Sequence, residues 1–135
     1  VHAHDPQVHG ELERVLHAPS LYDVVLRKLH RHGFAIDASY LDRDFSQPYE
    51  PHDSVAAAWT AIYRKPDEHF DLYELAEKLM DVEDAFQNWR FKHMFTVQRV
   101  IGVRKGTGGS SGVPFLKRAL DVSFFPELLS IRTDL

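Results

Sequence analysis

The sequence predicts an all-α fold, a helical bundle around one long helix, and three observations carry that prediction. From Glu68 to Ile101 there is neither proline nor glycine. Within that run Leu72, Leu75, Leu79, Val82, Phe86, Trp89, His93, Thr96 and Val100 recur at alternating spacings of three and four, a heptad-like seam. Strand-like alternation is absent along the whole chain. At 1.5 Å per residue the seam predicts about 50 Å of continuous helix.

Taken in order, residues 1–10 are polar and carry His2, His4 and His9, which reads as a loose lead-in. Residues 11–17 predict one or two helical turns that stop before Pro19. Ser20 is placed as an N-cap, with Asp23 three residues on as its capping-box partner. The helix they start turns Leu21, Val24, Val25 and Leu29 inward and ends at Gly33. Residues 34–52, with Pro48, Pro51 and scattered aromatics, read as an irregular connection. Asp53 or Ser54 caps a short helix with Val55, Trp59, Ile62 and Tyr63 on one face, and Pro66 separates it from the long helix, which Asp67 can cap. Beyond Gly102, residues 104–113 read RKGTGGSSGV, a composition suited to a mobile loop. Pro114 stands at the first position of a short helix over 114–120. Phe124, Phe125, Leu128, Leu129 and Ile131 form a last apolar patch around Pro126.

Composition narrows the chemistry. The 135 residues fit one domain or part of one. There is no cysteine, so disulfides, thiolate nucleophiles, cysteine zinc sites and iron–sulfur clusters are excluded. A net charge of -4 argues against a general nucleic-acid surface. No apolar run approaches a membrane span, and no secretory signal is visible, so a cytoplasmic location is expected. The chain begins Val-His-Ala-His rather than with Met, and a start inside a longer protein is expected.

Nine histidines are many for this length. His93 is the informative one, because it occupies the apolar seam between Trp89 and Val97, where a core residue belongs. A buried imidazole needs a partner for each ring nitrogen. A metal on one nitrogen and a hydrogen bond on the other meets that need; so does a backbone carbonyl or a water. No second histidine shares the face nearby, which disfavours a multi-histidine zinc site and fits a single axial ligand to haem better. In RKGTGGSSG, glycines and successive amides permit an anion-binding nest, with Arg104, Lys105, Thr107, Ser110 and Ser111 as further donors. The alternative is a plain connector. The order of residues is wrong for a P-loop. The remaining histidines read as surface residues, and Glu77, Asp81, Glu83 and Asp84 as a solvated face.

The stretch WRFKHMFTVQRVIGVRKGTGGSSG, from Trp89 to Gly112, resembles the C-terminal half of the tryptophan 2,3-dioxygenase family. FLKRAL at 115–120 and FFPELLSIRT at 124–133 extend the similarity downstream. HAPSLYD at 17–23 and DLYELAEKLMDVEDAFQNWR at 71–90 extend it upstream. The pair WRFxHM and GTGGSSG, with 14 residues from His93 to Thr107, is highly specific.

The resemblance implies a haem-binding dioxygenase fold in which His93 is the proximal axial ligand of a b-type haem iron. It implies that Thr107 contacts the amino-acid end of bound L-tryptophan, from a loop over 104–113 that closes on substrate. It implies a homotetramer that inserts both atoms of O₂ across the indole C2–C3 bond to give N-formylkynurenine, the entry to kynurenine-pathway tryptophan catabolism. No side chain of this sequence is assigned an acid–base role. Residues 1–135 correspond to the C-terminal portion of that single domain. The family's N-terminal half supplies the distal haem pocket and the arginine for the substrate carboxylate, and neither motif occurs here. Two other readings stand beside this one: a diverged or truncated relative acting on another indole, and a cofactor-free helical interaction fragment.

Overall fold

The computed structural model describes residues 5–101, 118, 122–133 and 135. Among these the regular structure is entirely helical. In order come α1 (Pro6–Leu16), α2 (Leu21–Arg31), α3 (Ala38–Leu41), α4 (Asp53–Arg64), α5 (Phe70–Ile101) and α6 (Pro126–Ser130), the last running into a 3₁₀ turn, Ile131–Thr133.

α1 starts five residues earlier than the expected turns over 11–17. Asp5 caps it by accepting from the amides of Gln7 and Val8, and Pro6 stands where a missing N–H costs nothing. Leu12, Val15 and Leu16 on this helix are exposed. α2 carries the predicted capping box: the Ser20 hydroxyl accepts from the Asp23 amide, and the Asp23 carboxylate accepts from the Ser20 amide at 2.9 Å. Its other end closes at Gly33, whose φ of +93° suits glycine. The Gly33 amide reaches the His30 carbonyl and the Phe34 amide reaches the Leu29 carbonyl, satisfying two terminal acceptors. The 34–52 connection is mostly irregular, as read, with α3 as a single turn inside it. α4 is capped by His52, whose Nδ1 accepts from the Ser54 amide, one residue before the expected Asp53.

The core gathers Tyr22, Val25, Leu26 and Leu29 of α2, Val55, Trp59 and Ile62 of α4, Leu72, Ala76 and Leu79 of α5, and Phe125, Leu128 and Ile131. Each large apolar side chain so buried contributes about 1.5–3 kcal/mol. α4 packs against α5, α6 and the 3₁₀ turn. A buried polar hub joins these layers. Trp59 Nε1 donates to the Tyr22 hydroxyl at 3.0 Å, and that hydroxyl donates to Glu127 Oε1 at 2.8 Å. The Tyr49 hydroxyl and the His52 amide complete the Glu127 carboxylate. Burial first, and then the Glu127 charge, push the Tyr22 hydroxyl far above the ordinary tyrosine range.

Three expectations are corrected here. Of the four α2 residues expected to turn inward, Val25 and Leu29 are buried, whereas Leu21 and Val24 are exposed and Tyr22 and Leu26 take the inward positions. The seam of α5 is buried only at its start, through Leu72, Ala76 and Leu79, with Leu75 half-buried. From Val82 onward its apolar residues Val82, Phe86, Trp89 and Val100 are exposed, and so is His93. The reason is length: α5 has 32 residues, about 48 Å, while the 12 residues of α4 cover about 18 Å. Glu83, expected on a solvated face, is 2% exposed. Its carboxylate accepts from the Ser123 hydroxyl and from the amides of Phe124 and Phe125, which precede α6 and need acceptors.

Candidate functional site

The second half of α5 places the candidate residues. His93 follows Trp89 by four residues, so the two share a face. Their rings stack, with centroids 5.0 Å apart and planes 5° from parallel. One turn before Trp89, Phe86 meets Phe124 edge-on at 5.1 Å. Ala85, Phe86 and Trp89 line an open apolar cleft of about 300 Å³. Phe86 also borders a second apolar cleft of about 310 Å³, shared with Val82, Leu21, Tyr22, Phe124 and Phe125. His93 therefore stands at the end of an apolar wall rather than in a packed core.

Among the described residues no hydrogen bond reaches the His93 ring nitrogens, and no three His, Asp or Glu side chains converge on a common point. This donor set suits a metal that arrives with most of its ligands. A porphyrin iron has four equatorial nitrogens of its own and takes one imidazole from the protein, while the apolar wall suits the faces and edges of a flat macrocycle. The residues present thus fit haem. Burial of His93, inferred from the seam, is not met within this chain.

Thr107, Arg104, Lys105, Ser110 and Ser111, with the helix expected over 114–120, lie outside the described residues, apart from Arg118, which is helical. The attachments of that stretch are described. It leaves α5 at Ile101, and the chain returns at Val122, whose carbonyl accepts from Gln87 Nε2 at 3.1 Å and from the Arg90 guanidinium. Arg90 also lies over the Phe124 ring, 4.5 Å from its centroid. Sequence reasoning missed Glu83, Gln87 and Arg90 as a group. A signal existed for Glu83: Leu72, Ala76, Leu79 and Glu83 continue one four–three–four register, so position 83 falls on the buried stripe. The other histidines sit apart from the site. His9 and His17 flank Glu13 on exposed α1, His52 caps α4, and His69 packs edge-on to Phe34.

A family model described as tryptophan 2,3-dioxygenase matches residues 60–135. A tryptophan 2,3-dioxygenase of Shewanella woodyi is 64% identical over 135 residues, covering 100% of this chain and 47% of the relative. One from Burkholderia pseudomallei is 55% identical over 134 residues, 99% of this chain and 44% of its own length. One from Geobacillus thermodenitrificans is 53% identical over 135 residues, 100% of this chain and 48% of its own. The chain thus spans under half the length of the curated relatives it matches. With a model match over more than half its residues and identities this high along its length, the chain belongs to the tryptophan 2,3-dioxygenase family.

Proposed function

We propose that this chain is the haem-bearing C-terminal portion of a dioxygenase that opens the indole C2–C3 bond of L-tryptophan with O₂ to give N-formylkynurenine. The observation that carries the reading is His93: an exposed imidazole stacked on Trp89, on a bare apolar helix face, in a chain of this family. In this reading His93 is the proximal axial ligand of haem b. Haem, when bound, supplies the ferrous iron at which O₂ is activated. Trp89 holds the imidazole ring in one orientation by stacking. Phe86 and Val82, which line an apolar cleft on the same helix, would keep water from a bound apolar cofactor. Thr107 holds the charged amino-acid end of tryptophan by hydrogen bonds, so that the indole meets its reactant in a fixed geometry.

The distal pocket and the carboxylate-binding arginine belong, in this reading, to residues outside this sequence. The exposed stripe on α5 supports that assignment, because apolar patches of this extent mark a surface that another part of the assembly covers. The reading includes a cytoplasmic homotetramer. Among the described residues no helix is long and apolar enough to cross a membrane. The test is to load the full-length protein containing this chain with haem, record its Soret band, and assay L-tryptophan and O₂ for N-formylkynurenine. A protein that binds no haem, or that binds haem and leaves L-tryptophan intact, overturns the reading.

A further inference from the structure

The second half of α5 carries apolar side chains on two opposite faces, and the dioxygenase reading assigns only one of them to haem. At about 100° per residue, Val82, Phe86, Trp89, His93 and Val100 fall within about 60° of one another. Phe91 and Phe95 lie about 200–240° round the helix from Trp89. They are 53% and 52% exposed, and their ring centroids are 6.0 Å apart. With Lys92, Thr96 and Arg99 they line an open cleft of about 420 Å³. The chain's own packing uses a third face: Glu83 and Met94 are buried there, and Gln87 and Arg90 donate to the Val122 carbonyl. A helix that is apolar on opposite faces is an enclosed one, so the Phe91–Phe95 face calls for a cover of its own.

The charges on this face say what kind of cover fits. Asp84, Asn88, Phe91, Phe95 and Arg99 follow one another at spacings of four, three, four and four, a single stripe along the helix. Acidic Asp81 and Asp84 stand at its N-terminal end and Arg99 at its C-terminal end, with Lys92 flanking the rings. All four charged residues are exposed, and among the described residues no ion pair engages any of them. Asp84 and Arg99 stand about 22 Å apart along the axis, and the midpoint between them falls beside Phe91. A two-fold rotation about that midpoint lays the stripe on itself. Asp84 of each copy then meets Arg99 of the other, and the four phenylalanine rings meet between these pairs. A parallel pairing instead sets acid on acid and base on base. The stripe is therefore complementary to itself in the antiparallel orientation.

We propose that the Phe91–Phe95 face of α5 is a two-fold contact with a second copy of the protein, with the two helices antiparallel and Asp84 paired with Arg99 at each end. The proposal goes beyond the dioxygenase reading and takes nothing from haem or its ligand. Because His93 faces the other way on each helix, the contact leaves both His93 faces free.

The experiment uses the full-length holoenzyme and reads its solution mass by sedimentation over a range of protein concentration, with circular dichroism, thermal stability and the N-formylkynurenine assay beside it. The variants are Asp84→Arg, Arg99→Asp, the double Asp84→Arg/Arg99→Asp, and the double Phe91→Ser/Phe95→Ser. Each single charge reversal sets like charges together at both ends of the contact and is expected to weaken association about ten-fold or more. The double reversal restores opposite pairs and is expected to return association to within about three-fold of wild type. The phenylalanine variant is expected to weaken association with its helix content unchanged. Single reversals that leave the mass as in the wild type, or a double reversal no better than the singles, overturn the proposal. A phenylalanine variant that loses thermal stability at unchanged mass shows that another part of the same chain covers the face, and overturns it too. If that variant does not fold, the charge variants, which alter only exposed side chains, decide. A monomeric wild type that consumes L-tryptophan overturns the proposal alone, and an oligomer that leaves L-tryptophan intact overturns the dioxygenase reading alone.

Discussion

The imidazole of His93 lies parallel to the indole of Trp89, one helical turn apart, with ring centroids at 5.0 Å and planes at 5°. Stacking of this kind removes rotational freedom from a side chain that is otherwise exposed, so its nitrogens keep a constant direction. Substituting His93 with Ala in the full-length protein is expected to remove most bound haem or to change its axial-ligand spectrum. The far-ultraviolet circular dichroism is expected to persist, because no described core contact depends on the ring. Unchanged haem content and spectrum would falsify the ligand assignment.

Thr107→Ala is expected to lower kcat/KM for L-tryptophan about ten-fold or more, since a hydrogen bond to a charged group contributes roughly 1.5–3 kcal/mol. Haem content stays constant. Steady-state kinetics check this, and wild-type values in the variant reduce the GTGGSSG stretch to a connector.

Acid stability follows from Asp23, which is 1% exposed and meets Arg43 Nε at 2.7 Å and Nη2 at 2.9 Å. Burial opposes its charge, but the Arg43 hydrogen bonds, the Ser20 amide and hydroxyl, and the Arg43 charge outweigh that, holding it below its ordinary value of 3.8. Asp37 and Asp44 are lowered too, chiefly by hydrogen bonds from Ser39 and Ser46. A lowered carboxylate stabilises the fold fully above the unfolded value, and that stability is lost as pH falls through the folded value. Arg43→Ala leaves a buried carboxylate without its counter-ion, with only the Ser20 donors remaining, and is expected to cost about 3 kcal/mol at neutral pH. Asp23→Asn is expected to flatten the acid limb. Denaturant titrations from neutral pH down through the carboxylate range measure both effects.

The 135 residues expressed alone are expected to associate through the stripe of Val82, Phe86, Trp89 and Val100, together with Leu12, Val15 and Leu16 of α1. They are expected to form no N-formylkynurenine when haem is added. Sedimentation and product assay are the measurements. A haem-bound monomer that turns over L-tryptophan would show that the distal pocket lies within these residues.

What was legible in the sequence depended on range. The Ser20–Asp23 box, the Gly33 terminus and the unbroken run of α5 are local signals, written within a few neighbouring residues, and the structure has all three. The burial of Glu83 and Glu127 is not local: each is decided by amides or hydroxyls 40 or more residues away. The α5 seam was read correctly as an apolar stripe, but whether a stripe is covered depends on what lies opposite. For Leu72 and Leu79 that is α4 and its neighbours; for Trp89 it is nothing among the described residues. His93 was legible as an odd residue on that stripe, whereas its exposure was not.

The Tyr22–Glu127 hydrogen bond spans 105 residues of chain. Closing a loop of that length costs about 2 kcal/mol more entropy than closing one of ten residues. The helices themselves need only contacts four residues apart. The 125–131 segment docks on α2 and α4 through contacts distant in sequence, and such contacts are expected to slow folding relative to a bundle held by local contacts alone, which stopped-flow refolding measures.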